Sequence, residues 1–157
     1  MDGVLTDGGL LINSYGHWLR RMDIKDGYAL QLAIKSGYQI VVISGSESLQ
    51  VAERLNKLGI SNIFMKVNNK ENLLIDFLKK NDCKINETLF MGDDIPDYNC
   101  MQIAGFACCP CDAAVEIKKI SSYISPFKGG YGCVRDVIEK VLKLNNNWPL
   151  TTSVVAT

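Results

Sequence analysis

Short apolar runs that stop on polar residues, separated by stretches with helical spacing, constrain this chain more than any other feature. The clearest run, Tyr38-Gln39-Ile40-Val41-Val42-Ile43, reads as a buried strand and passes straight into Ser44-Gly45-Ser46. Residues 62–65, 88–91, 106–109 and 123–124 are shorter runs of the same kind, and Val4-Leu5 reads as the tail of a first strand. Between them, residues 26–35, 48–58, 71–80, 96–104, a stretch from Ala113 and residues 132–144 have helical character, with Gly37, Gly59 and Gly105 as stop signals. Alternation of this kind predicts an α/β fold with a doubly wound, mainly parallel, Rossmann-like sheet. One hairpin is inserted early: Leu10-Leu11-Ile12 and His17-Trp18-Leu19 flank the turn-forming Asn13-Ser14-Tyr15-Gly16. Residues 1–144 are read as one domain and residues 145–157 as a tail, mobile unless it docks on a neighbour.

Composition excludes several classes of function. The 157 residues are 47% hydrophobic and 22% charged, as in ordinary globular domains, with 17 basic and 17 acidic side chains. A net charge of zero gives no footprint for nucleic acid or for an anionic membrane surface. No apolar run approaches the roughly 20 residues of a membrane span, and no signal peptide precedes the first motif, so a cytoplasmic location is expected. The six cysteines are not spaced as a secreted disulfide framework. Cys108-Cys109-Pro110-Cys111 contains a C-x-x-C, but no second ligand pair accompanies it and the single histidine, His17, is remote. It reads as a buried strand end rather than a zinc or redox site.

The polar residues at the strand ends carry the chemistry. Ligands of open α/β sheets bind beyond the carboxyl ends of the strands. There the sequence puts Asp2 and Asp7 in the first loop, Ser44 after the next strand, Lys70 opening a helix, and Asp93-Asp94 after a later strand. Carboxylate oxygens suit Mg²⁺, which keeps several waters and binds phosphate oxygens. A hydroxyl and a lysine beside them suit a phosphoryl group whose charge must be offset during transfer. Each piece alone is common; their order is the signal.

That order resembles the four motifs of the haloacid dehalogenase superfamily. Asp2-Gly3-Val4-Leu5-Thr6-Asp7-Gly8, the hairpin, Lys25-Asp26-Gly27, Ile43-Ser44-Gly45, Lys70, Gly92-Asp93-Asp94 and Gly129-Gly130-Tyr131-Gly132-Cys133-Val134-Arg135 narrow it further. Together they resemble the capless 3-deoxy-D-manno-octulosonate 8-phosphate phosphatases and their relatives acting on nine-carbon, sialic-type sugar acid phosphates. The resemblance implies a Mg²⁺-dependent phosphatase acting through an aspartyl-phosphate intermediate. Asp2 is then the general acid/base, with its main-chain carbonyl on Mg²⁺; Asp93 is a metal ligand and Asp94 supports the metal or its waters. Ser44 and Lys70 hold the phosphoryl group, and Lys25, Asp26, Gly27, Ser46 and Arg54 fall where the family contacts substrate. The nucleophile of this scheme precedes Met1, which occupies the middle position of Asp-x-Asp. The spacing leaves no room for a cap domain, so the resemblance implies a homotetramer in which neighbours cover the site, and the apolar hairpin suits such an interface.

Three positions depart from the family pattern. Ser46 replaces both the arginine of the eight-carbon enzymes, which would clamp a carboxylate bidentately, and the glutamate of the nine-carbon enzymes. Asn69 precedes Lys70 in place of aspartate, and Pro96 replaces an asparagine. A second reading is a catalytically inactive relative serving as a binding or assembly module. A receiver-type signalling domain is rejected, because residues 62–66 offer no phospho-accepting aspartate.

Overall fold

The computed structural model describes residues 1–16 and 18–148. His17 and the tail beyond Trp148, on which part of the expected mobility falls, lie outside the described residues.

Helix starts follow their caps. α1 (Ile24–Lys35) begins two residues before the expected Asp26, because the Asp23 carboxylate accepts the Lys25 N–H at 2.7 Å and serves as the N-cap. Ser48 caps α2 (Leu49–Lys57) in the same way, and Asn69 caps α3 (Lys70–Lys80), accepting the Asn72 N–H at 2.9 Å. The departure at Asn69 thus has a local role that asparagine fills well. A 3₁₀ turn at Ile95–Asp97 with Pro96 in it leads into α4 (Tyr98–Ile103), and α5 (Val115–Ile120) and α6 (Cys133–Leu144) complete the helices.

The antiparallel hairpin is short: β1 (Leu11–Ile12) pairs with β2 (Trp18–Leu19), Leu11 opposite Leu19 and Ile12 opposite Trp18. The remaining strands are parallel, as expected. β3 (Val41–Ile43) pairs with β4 (Asn62–Phe64), while β5 (Leu89–Met91), β6 (Phe106–Cys109) and β7 (Tyr123–Ile124) form a second ladder. One expectation fails. Val4 and Leu5 are not strand; the N–H groups of Val4, Leu5 and Thr6 all point at the Met1 carbonyl, at 3.3, 2.9 and 3.3 Å, winding residues 2–5 into a turn. Gly3, at φ 74°, makes that turn possible. Both side chains are buried, so their apolar character reflects core packing and not a pleat.

α1 packs along α6, and Leu30, Val42, Leu55, Ile60 and Val134 close the core between them and β3. Leu55 and Ile60 are almost fully buried, each contributing about 1.5–3 kcal/mol. Cys108 and Cys109 are buried in β6, in keeping with a strand end, and all six cysteines are free thiols. The beginning of the tail docks on its own chain: the Trp148 ring meets Tyr28 edge-on at 6.2 Å, and the Arg135 guanidinium lies 5.2 Å from the Trp148 ring. Among the described residues no helix is long and apolar enough to cross a membrane.

Candidate active site

The turn at residues 2–5 projects the Asp2 carboxylate toward β3. Arg20, leaving β2, donates from Nε to Asp2 Oδ1 at 2.9 Å and from Nη2 to Oδ2 at 3.3 Å. Ser46 Oγ donates to Oδ2 at 2.7 Å, and Thr6 Oγ1 to Oδ1 at 3.2 Å. Burial pushes the Asp2 carboxyl up, but the Arg20 and Ser46 hydrogen bonds outweigh it and hold the group below its ordinary value. Ser46 Oγ also lies 3.1 Å from Ser44 Oγ, so the Ser44 hydroxyl is linked to Asp2 through Ser46. That loop is fixed from below, since Ser44 donates its N–H to Phe64 O at 2.8 Å and accepts from Val67 N at 2.9 Å.

A second group is built around Asp97. Lys70 Nζ donates to Asp97 Oδ1 at 2.7 Å, and the Asp93 N–H donates to Asp97 Oδ2 at 3.1 Å. Asp97 is 5% exposed, so this is a buried connection between the helix after β4 and the loop after β5. The Asp93 carboxyl has no such partner among the described residues. Burial, with Asp97 and Asp94 close by, raises it to about 6. Asp93 also lies against the first loop: a Cβ on Gly3 would stand 1.9 Å from Asp93 Oδ2. Gly129 and Gly130 press on the same loop from the other side, and Gly130 N–H donates to Val4 O at 2.9 Å.

Asp93 is half-buried beside Asp94 and Asp97, with no hydrogen-bond partner for its carboxylate among the described residues, and a hard divalent cation would offset that local excess of negative charge. No three carboxylate, imidazole or thiolate groups among the described residues come together as a closed metal cage. The neighbouring Asp93 and Asp94 carboxylates suit Mg²⁺, which takes one or two protein carboxylates and fills its octahedron with waters and phosphate oxygens. They do not suit a structural zinc site.

The structure thus brings Asp2, Ser44 and Ser46 together, and separately ties Lys70 to the Asp93 loop. Asp94 is exposed beside Asp93. The other expected substrate residues sit apart. Asp26 is 1% exposed and faces α6, where Oδ1 accepts the Arg135 N–H at 2.6 Å; burial raises its carboxyl to about 6. Gly27 leaves room for Arg54, whose Nη2 would be 3.2 Å from a Cβ there. Asp26 Oδ2 and Arg54 Nη2 are buried without partners among the described residues. Lys25 is exposed. No hydrogen bond or ion pair among the described residues joins these four to the Asp2 group. Two residues escaped the sequence reading as site members. Arg20 follows an apolar hairpin strand and carries no spacing signal, whereas Asp97, three residues after the Asp93-Asp94 pair, was visible but unassigned.

No family model matches the chain. Among curated proteins it is similar to the 3-deoxy-D-manno-octulosonate 8-phosphate phosphatase of Yersinia pestis, 28% identical over 142 residues, covering 90% of this chain and 76% of the relative. The same enzyme of Escherichia coli K12 is 29% identical over the same lengths. Among solved structures, that of the Moraxella catarrhalis enzyme, in complex with magnesium ion, phosphate ion and a KDO molecule, is 34% identical with a TM-score of 0.90. It covers 93% of this chain and 84% of that one. The cobalt-bound Haemophilus influenzae enzyme is 27% identical with a TM-score of 0.87, covering 92% and 85%. With the sheet, the paired acids and the relatives in agreement, the chain belongs to the haloacid dehalogenase superfamily, in its 3-deoxy-D-manno-octulosonate 8-phosphate phosphatase subfamily.

Proposed function

We propose that this protein is a Mg²⁺-dependent phosphoric monoester hydrolase acting on a sugar acid phosphate such as 3-deoxy-D-manno-octulosonate 8-phosphate. The observation that carries the reading is the Asp2 carboxylate, held by Arg20 and Ser46 with Ser44 at hand, on the same rim as the linked Lys70–Asp97–Asp93 group. Asp93, the Asp2 carbonyl and Asp94 would hold Mg²⁺, which offsets the charge of the phosphate and of the acids around it. Ser44 donates to a phosphate oxygen, and Lys70, kept in place by Asp97, balances charge on the group in flight.

Asp2 passes a proton to the departing sugar oxygen and later takes one from the attacking water. Arg20 and Ser46 favour its ionised form, which is the form the second step requires. The nucleophile in this scheme is an aspartate immediately before Met1, outside these 157 residues, whose phosphorylation splits one difficult displacement into two. Lys25 and Arg54 would contact the sugar once a neighbouring copy completes the site, while the buried Asp26 holds α1 on α6 through the Arg135 N–H and Gly27 leaves space for Arg54. The hairpin supports a homotetramer: Leu11, Ile12, Tyr15 and Trp18 are 68, 61, 84 and 57% exposed, an apolar face of the kind that marks an interface.

The test restores an aspartate before Met1, adds Mg²⁺ and measures phosphate release from eight- and nine-carbon sugar acid phosphates. Release from one or both is expected; none from either refutes the assignment and favours the inactive binding or assembly module. Sedimentation of the purified chain checks the assembly, with a four-chain mass expected.

A further inference from the structure

Among the described residues, three that are not glycine have a left-handed backbone: Lys66 at φ 54°, Asp82 at 52° and Asn146 at 56°. Asp82 and Asn146 each stand just past the C-cap of a helix, α3 and α6, where a left-handed residue commonly ends the helix. Lys66 ends no helix. It lies in the loop between β4 and α3, on the rim that also carries Ser44 and Lys70. A long side chain there bears a conformational cost that glycine would avoid, and such costs persist where the surroundings enforce them, often at ligand sites.

Main-chain bonds enforce it here. The Lys66 N–H donates to Ser46 O at 3.3 Å and the Val67 N–H to Ser44 O at 2.9 Å, laying this loop along the one that reaches Asp2. The ammonium lands on Glu47, the next residue of that loop, with Nζ 2.6 Å from Oε2. Both side chains stand in solvent, Lys66 68% and Glu47 47% exposed. An ion pair so exposed adds little to stability, so it does not repay the strain, and its partners exchange readily.

The other cations bonded into these loops are spent inside the protein. Arg20, 3% exposed, grips Asp2, and Lys70, 13% exposed, holds Asp97. A sugar acid phosphate brings two anionic groups, and Ser44 with Lys70 answers only the phosphate. Its carboxylate calls for a second cation on the same rim, open to solvent and paired weakly enough to let go. Lys66 meets each condition.

We propose that Lys66 selects for a carboxylate on the substrate, and that Glu47 is an internal carboxylate holding its ammonium until the substrate's own displaces it. The inference rests on the phosphatase reading and names the group by which that site tells a sugar acid phosphate from an ester without the acid. An ester lacking a carboxylate gains nothing from opening the Lys66–Glu47 pair.

The experiment uses the chain with an aspartate restored before Met1, with Mg²⁺, and compares 3-deoxy-D-manno-octulosonate 8-phosphate with 4-nitrophenyl phosphate, which has no carboxylate. Lys66→Met is expected to lower kcat/KM for the sugar acid phosphate about tenfold or more, through KM, and to narrow the preference over the nitrophenyl ester by the same factor. Lys66→Arg retains most of that preference. Glu47→Gln lowers KM about twofold or more for the sugar acid phosphate alone, because the competitor for the ammonium is gone. Lys66→Gly separates charge from backbone: it loses the preference as Lys66→Met does, yet unfolds in no less urea than the parent. Equal losses on both esters, or a preference that survives Lys66→Met, overturns the proposal. Calorimetric titration of the full chain with the free sugar acid reads the same contact without turnover. Binding weakened about tenfold or more in Lys66→Met, with no phosphate released by any variant, upholds Lys66 and counts against the phosphatase reading alone. Equal binding by parent and Lys66→Met overturns the proposal.

Discussion

Gly3 offers a sharp test of how the first loop and the Asp93 loop are fitted together. Gly3→Ala puts a methyl group 1.9 Å from Asp93 Oδ2 and leaves a side chain at φ 74°. The backbone conformation alone costs about 1–2 kcal/mol. Gly16→Ala measures that cost separately, since Gly16 has φ 77° with nothing within 4 Å of its would-be Cβ. The difference between the two variants is then the steric conflict. To reach ordinary contact the Asp93 carboxylate has to retreat by more than an ångström, and Mg²⁺ tolerates little error in its ligands. Urea unfolding followed by circular dichroism is expected to show Gly3→Ala losing about 1–3 kcal/mol beyond Gly16→Ala, the range for overpacking. Calorimetric titration is expected to show Mg²⁺ affinity falling about tenfold or more for Gly3→Ala, and unchanged for Gly16→Ala. Equal stability losses with equal Mg²⁺ affinities would refute the contact between Gly3 and Asp93.

The Asp136 carboxylate of α6 accepts hydrogen bonds from Tyr123 Oη at 2.8 Å, from Ser125 Oγ at 2.9 Å and from Lys140, and so anchors β7 to α6. Burial raises this carboxyl, but the bonds from Lys140, Tyr123 and Ser125 bring it below 3.8. Its contribution is therefore complete above that value and lost as pH falls through the lowered one; Asp136→Asn is expected to flatten the acid side of the stability profile and to cost about 1–2 kcal/mol at neutral pH, read from unfolding curves between pH 3 and 7. Burial raises the thiols of Cys100 and Cys133 to about 11 and about 12, and lifts those of Cys108 and Cys109 as well. In the folded protein a thiol reagent is expected to label Cys83 and Cys111 only, the other four reacting after denaturation; rapid labelling of Cys108 would contradict the burial of β6.

How far the sequence discloses the molecule depends on the range of the interaction. Helix boundaries were legible to within a few residues, because caps such as Ser48 and Asn69 act on their own first turn. Strand polarity was legible too, since alternation with helices leaves parallel pairing as the simple solution. Val4 and Leu5 were misread because burial looks the same in a turn as in a pleat; only the positive φ of Gly3 separates the two. The partners of the site residues were the least legible. Asp2 and Ser46 were both singled out, but their 2.7 Å hydrogen bond spans 44 positions and depends on how the first loop meets β3. Arg20 was invisible for the same reason. Ser46, which fits neither family pattern as a substrate contact, makes sense once that bond is seen.

Arg20 has a further consequence. Its side chain is 3% exposed and grips Asp2, yet it leaves the strand that carries Trp18 and Leu19, two of the bare apolar residues of the hairpin. Nη1 reaches back to the Trp18 carbonyl at 3.4 Å, so the guanidinium is tethered to the hairpin backbone as well as to the acid. Whatever covers that hairpin therefore also steadies the group that sets the proton affinity of Asp2. In the proposed assembly, occupancy of an outer surface and readiness of an inner acid become one variable, and dilution that bares the hairpin is expected to register at Asp2 before it registers in the fold.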